Sequence, residues 1–409
     1  MKPKKQADKT NILVLTPYFY GDVGSAVNER QFITALASNI KNCYVITLIG
    51  FSQIFTNKRN ELKLSLPQNI HVIGLPIPEI NFLIVNLSMM LSSFALSIPV
   101  WFLIVTRKID LIYVRDSFFC TGLLSHKVVA KRTIVKISAL AEDEPKTTNL
   151  TKKVTKFFTP LLDRLILTCS KRVAVNSEHF YAELVKRRQV KHEKEPLILS
   201  AGVDFKLIKK LNTNPAKADN KPITVGFIGL LSWWQGAEIL AEAVSIANMQ
   251  LSNLHLVFIG DGESRSSLEH LCKFLNLSYE ITGFLSHEEA LMRLKTLDVM
   301  VLPRKRTPTT ESIIPLKVIE AWALGIPVVV TKHKIFLEKG YKDQEDVLFC
   351  EPQPESVKNA ILALLCSEEL RAKLSKNGPK CAKSFDYEKI VKYFLEENSE
   401  YIVRNDIKL

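Results

Sequence analysis

Between Pro303 and Thr331 the chain reads PRKRTPTTESIIPLKVIEAWALGIPVVVT, with charged residues spaced as an anion site requires. Residues 304–312 form a polar, charged loop that feeds a helix. Pro315 suits the first turn of that helix, and Lys317 and Glu320, three residues apart, share one face. A helix N-terminus presents free amides and the positive end of its dipole, so this junction is a place for anions. The ligand expected there is a phosphate compound.

The surrounding elements must carry this stretch at the top of a sheet. Residues 299–303 are an apolar run fit for a buried parallel strand, and Gly325 with Pro327 stops the helix before a strand at 328–330. Upstream, strands at 224–229, 255–260 and 280–283 alternate with helices at 240–247, 264–275 and 286–297. That alternation predicts a parallel, doubly wound sheet. A second such series opens the chain, with strands at 11–17, 43–49, 71–75, 111–114, 133–137 and 172–176 and a helix at 26–40. At 409 residues, 47% hydrophobic and 24% charged, the chain is an ordinary globular sequence too long for one core. Two domains are expected: residues 1–208 and 222–384, joined by a lysine-rich linker at 209–221.

Residues 311–329, ESIIPLKVIEAWALGIPVV, resemble the acidic signature of the family-4-type glycosyltransferases of the GT-B fold, in the variant with Pro-Leu-Lys before the second glutamate. The resemblance implies an α/β protein with two Rossmann-like domains facing a central cleft, and transfer of a sugar from a nucleotide-sugar donor to an acceptor. It makes Glu320 the residue that holds the ribose hydroxyls, a task suited to a carboxylate because it accepts two hydrogen bonds in fixed geometry. The usual first glutamate stands where this chain has Ser312, so Glu311, one residue earlier, becomes the donor-sugar contact. Ser312, Pro315 and Leu316 join the donor site. Residues 229–236, GLLSWWQG, are similar to the first loop of the family's donor domain and contribute Gly229, Gln235 and Gly236. Residues 18–25, YFYGDVGS, are similar to its N-terminal opening, where Gly21 and Gly24 let the backbone approach donor phosphates. Residues 197–204 look like the exit from the first domain, and 385–403 like the terminal helix that crosses back to it.

In one respect the chain departs from the family. An arginine and a lysine often neutralise the diphosphate from the first donor loop, and the nearest positions here hold Leu231 and Gln235. A departing diphosphate needs cations. Lys317 and Arg304 are the candidates to replace them, so the catalytic set is Glu311, Lys317 and Arg304. On the acceptor side, Arg115 follows a strand and could meet acceptor, donor or a neighbouring carboxylate. Where many members carry a histidine, residues 136–144 read KISALAEDE; Glu142 and Asp143 could orient an acceptor hydroxyl or cap a helix. No Asp-x-Asp pair appears, and neither a metal nor a further cofactor is expected beside the nucleotide-sugar co-substrate. The family's retention of anomeric configuration is implied as well.

Charge separates the halves. Residues 1–200 hold 28 Lys and Arg against 15 Asp and Glu, whereas 201–409 hold 27 of each. The acceptor-side domain therefore carries the whole excess of +13, which suits an acidic acceptor or an anionic membrane leaflet. Clusters at 127–132, 152–156 and 186–188 could contact that surface or be solvated helix faces. No stacking aromatics accompany them, and nucleic acid is not expected. Residues 82–105 lack charge for 24 positions, long enough for a bilayer, yet a span would divide one sheet between two compartments. Asn86, the serines and Pro99 argue instead for one or two shorter helices, buried or dipping into the interface. Seven scattered cysteines without metal spacing read as reduced thiols, and the lysine-rich start as no secretory signal. The expectation is a cytoplasmic, membrane-peripheral glycosyltransferase with a lipid-linked or polysaccharide acceptor. A non-catalytic partner subunit and a basic module for anionic polymers are the alternatives.

Overall fold

The computed structural model describes residues 10–17, 19–20, 24–50, 66–77, 82–106, 108–115, 117–140, 150–190, 195–211, 222–251 and 253–400. It divides into two units, Met1–Ser200 with Tyr387–Leu409, and Ala201–Asp386. Lys209 and Lys210 end a helix, Phe205–Leu211, of the second unit, and 212–221 of the expected linker lie outside the described residues.

The first unit is built on seven strands: β1 (Asn11–Thr16), β2 (Asn42–Gly50), β3 (Ile70–Ile77), β4 (Leu111–Val114), β5 (Thr133–Lys136), β6 (Arg172–Val175) and β7 (Leu197–Ile198). They pair in parallel in the order β3-β2-β1-β4-β5-β6-β7. Such strands are covered on both faces, which explains their unbroken apolar runs. Successive residues of β1 alternate between two cores. Ile12 and Val14 meet Phe32 and Phe394, while Leu13 and Leu15 meet Met89, Val100 and Ile104. The helix Tyr387–Glu397 thus closes one face of this sheet, with Phe394 edge-on to Phe32 at 5.6 Å and the Tyr387 hydroxyl donating to Asn28 Oδ1 at 2.5 Å. Residues 401–409 of the expected terminal segment lie outside the described set.

The other face carries Phe82–Val105. Here the expectation of shorter helices is corrected: one helix of 24 residues runs through Pro99. A proline removes one backbone bond and crowds one carbonyl, a local cost that the flanking turns absorb. The helix is long and apolar enough to cross a membrane, but it connects β3 to β4 and both belong to one sheet. It is therefore a crossover helix. A further correction concerns residues 186–188. Arg188 is buried, donating to Asp163 from Nε at 3.0 Å and Nη2 at 2.7 Å, and Arg187 is paired with Glu183, so this cluster is no open basic patch.

The second unit has six parallel strands: β8 (Ile223–Ile228), β9 (Leu254–Ile259), β10 (Tyr279–Ile281), β11 (Val299–Leu302), β12 (Val328–Thr331) and β13 (Leu348–Cys350), in the order β10-β9-β8-β11-β12-β13. Its core gathers Trp322, Phe336 and Phe385, with Tyr341 packed against them. In both units the order reverses beside the first strand, between β1 and β4 and between β8 and β11. Ligands of doubly wound sheets bind at the carboxyl ends of the strands at this switch.

Candidate functional site

The loops after β8, β11 and β12 converge at the second unit's switch point. Two glycines permit it. Gly229 has φ +134°, and a Cβ there would lie 1.9 Å from Lys317 Nζ, so the absence of a side chain makes room for the ammonium. Gly236 has φ +84°, and its Cβ would meet the Pro303 carbonyl oxygen at 2.1 Å, so only glycine lets the β8 loop rest on the β11 loop. Lys305 N then donates to the Trp234 carbonyl at 2.9 Å. The segment after β11 is not wholly a loop as expected, because Pro308–Glu311 forms one helical turn capped by Thr307 and Thr310. Pro315 is the N-cap of the helix Leu316–Ala323, one position before the expected first turn.

These elements bring two cations together. Arg304 is buried, its guanidinium 4.8 Å from the centre of the Trp234 ring, and its Nε and Nη1 have no hydrogen-bond partner. Burial lowers it to about 9, which leaves it charged at neutral pH. Lys317, half-buried with Nζ 5.6 Å from the Phe227 ring centre, is brought down to about 7 by burial and then by the Arg304 charge, against the pull of Glu320. Neither cation has a salt bridge among the described residues. Ser232 Oγ and Gln235 Oε1 are also buried and unpartnered. Buried polar groups are ordinarily satisfied, so an unsatisfied group in the crevice of a switch point marks the place of a ligand.

Around this pair stand the carboxylates. Glu320 is buried and accepts a hydrogen bond from His287 Nε2 at 2.6 Å. His287 opens the helix His287–Lys295, which Ser286 and Glu289 cap reciprocally. Glu311 is held on both oxygens, Oε1 by Arg306 Nη1 and Oε2 by the Lys334 amide, each at 2.7 Å. Burial opposes its ionisation, but the Lys334 amide, Arg306 and His333 outweigh it and keep the carboxyl below its usual range. Arg306 also grips both oxygens of Glu351. His333 is buried, 3.5 Å from Glu311 Oε1, and lowered to about 4 by burial and the Arg304 charge, hence neutral. Ser312 is buried and spends its hydroxyl on the Pro308 carbonyl at 2.6 Å.

Arg304, Lys317, Glu320, Gly229, Gln235 and Gly236 thus share one site, flanked by Glu311, Ser312, Pro315 and Leu316. Leu231 is wholly buried in the core. The remaining candidates belong to the first unit. Gly24 begins the helix Gly24–Ala37 with open space where a Cβ would stand. Arg115 forms a salt bridge with the buried Glu29. Gly21, Glu142 and Asp143 lie outside the described residues. Sequence reasoning missed His287, His333, Trp234, Glu29 and Lys136. Only His287 had a local signal, the Ser-x-x-Glu capping pattern beside it.

Residues 209–381, nearly the whole second unit, match the family profile described as Glycosyl transferases group 1. The match covers less than half of the chain and likens its second unit to the group 1 glycosyltransferases. The group 1 match agrees with an uncharacterized glycosyltransferase of Methanocaldococcus jannaschii, 26% identical over 166 residues, which are 40% of this chain and 44% of that protein. The chain spans less than half the length of the curated relatives it matches. Among solved structures, sucrose-phosphate synthase from Thermosynechococcus elongatus has a TM-score of 0.69 at 18% identity, covering 96% of this chain and 99% of that one. HepE from Anabaena, in complex with UDP and glucose, has a TM-score of 0.69 at 16% identity, covering 96% and 100%. With two doubly wound units, these likenesses show the GT-B fold.

Proposed function

We propose that the chain transfers a sugar from a nucleotide-sugar donor to a lipid-linked or saccharide acceptor at the cytosolic face of a membrane, with retention and without a metal. The observation that carries this is the buried, unpartnered Arg304 guanidinium beside Lys317 at the switch point. Two cations without a counter-ion suit a diphosphate, and their field strengthens as charge builds on the leaving group. Glu320, oriented by His287, receives the ribose hydroxyls. Glu311 faces the donor sugar, and the loop from Gly229 to Gly236 covers the phosphates with Leu316 and Pro315 below. HepE's complexes with UDP and with UDP-glucose support a nucleotide-sugar donor.

The test is a thermal-shift panel of the full chain against UDP, GDP, ADP and their sugar conjugates. One nucleotide is expected to raise Tm, and Glu320→Ala to weaken its binding by about 1–3 kcal/mol through lost charge-assisted bonds. Folded protein that responds to none of them would leave the non-catalytic subunit as the better reading, with Leu231 and Gln235 as its cause.

A further inference from the structure

The helix Phe82–Val105 is amphipathic in the wrong sense for water. Its inward stripe is Asn86, Met89, Ser93, Ser97, Val100 and Ile104, all buried, and half of these are polar. Its outward stripe includes Leu91, Phe94, Ile98, Trp101, Phe102 and Val105, all exposed, with Ile98 at 65%. A soluble helix does the reverse. The helix cannot rotate to correct this. A Cβ on Gly122 would meet the Phe94 amide nitrogen at 2.2 Å, so the two backbones are in close contact there, and the Gly122 amide donates to Ser93 Oγ at 2.8 Å. Packed against the same helix, Leu150–Cys169 exposes a stripe of its own: Phe157 at 77%, Phe158, Leu161 and Leu165.

Among the described residues, the exposed charges near these stripes are basic. Lys108, Lys127, Lys131, Lys153 and Arg164 are exposed. The acidic residues described between positions 82 and 171 are Asp110 and Asp163, and both are buried. We infer that the first unit docks on an anionic bilayer through this two-helix face, the apolar stripes entering the acyl region of one leaflet and the lysines meeting lipid phosphates. The inference rests on the membrane-face part of the function proposed above and supplies its contact surface. Entry is one-sided because the helix returns the chain to its own sheet. A second copy of the chain is a poorer occupant, since a symmetric contact would set these lysines against their own counterparts.

The full chain would be sedimented with phosphatidylcholine vesicles, either pure or with about one third phosphatidylglycerol. We expect binding to the anionic vesicles, and a loss of about ten-fold or more in the combined variant Phe157→Ser, Phe158→Ser, Leu161→Ser. Chain-brominated lipid should quench the wild-type tryptophan emission, and Trp101→Phe should remove most of that quenching. The substituted side chains are exposed, and an unchanged thermal shift with nucleotide checks that the variants fold. Equal vesicle binding by the variant would overturn this face and leave membrane action standing. No vesicle binding by the wild type would overturn both, without touching the nucleotide result. A dimer that the triple variant dissociates, without vesicle binding, would make the face a contact between copies.

Discussion

The switch points of the two units share a strand order, and each has an arginine just past the strand that follows the reversal, Arg115 after β4 and Arg304 after β11. Each also has a lysine lowered to about 7, Lys136 in the first unit and Lys317 in the second. The surroundings differ. Arg115 is ion-paired with Glu29, and Lys136 Nζ donates to the Leu199 carbonyl at 2.8 Å. Arg304 has an aromatic ring and, among the described residues, no carboxylate. The fold therefore supplies the same electropositive crevice twice, compensates it internally in the first unit and leaves it uncompensated in the second. An arginine at a switch point is thus informative about a ligand only once its partner is known.

The largest effect expected from this contrast is on stability. Arg115→Met leaves Glu29 buried without its counter-charge and should destabilise the first unit by about 3–5 kcal/mol. Arg304→Met removes a buried cation that has no salt bridge among the described residues, and should leave the second unit within about 1 kcal/mol of wild type or more stable. Urea unfolding followed separately in each unit decides the matter, because two units need not unfold as one. Similar losses in both would end the distinction.

Binding should show the opposite pattern. Arg304→Met is expected to weaken nucleoside diphosphate binding by about 1.5–3 kcal/mol, and Arg115→Met to leave it unchanged by calorimetry. The pH dependence carries the same information. Lys317 is depressed, so it is charged below about 7 and loses its proton as pH rises through that value. Diphosphate affinity should therefore fall above neutrality, and Lys317→Met should flatten the profile. Lys136, equally depressed but without a ligand, should appear in stability instead. Its unfolded counterpart binds a proton up to about 10.4, so stability rises with pH between the two values.

Much of this was legible in the residues. Strong apolar runs gave the strands from β1 to β6 and from β8 to β12, and the Pro-Leu-Lys signature gave Lys317 and Glu320. The weak elements were not legible. β7 has two residues, too few for any period, and both β7 and β13 are edge strands that pair on one side only. Arg304 was named as a cation, but its loss of partners belongs to tertiary packing and has no sequence period. The same holds for Glu29, which looks like any helix carboxylate until β4 sets Arg115 against it. The orientation of Phe82–Val105 was hidden for a further reason: a helix apolar nearly all round has no face that periodicity can assign, and only Gly122 and Ser93 fix which side turns inward.

The smallest effect, and the sharpest test of how the open site differs from the closed one, concerns the two buried glutamates. Glu29 is matched by a full charge, whereas the side-chain bond that Glu320 accepts among the described residues comes from His287. A carboxylate held by one imidazole on one oxygen is oriented yet keeps acceptor capacity for a diol. His287→Ala should therefore cost about 0.5–1.5 kcal/mol in nucleotide affinity. That loss should appear with the ribonucleotide and shrink with its 2′,3′-dideoxy analogue, which has no hydroxyls for Glu320 to receive. Equal losses with both would mean that His287 supports the helix packing alone, and that Glu320, like Glu29, is a structural carboxylate.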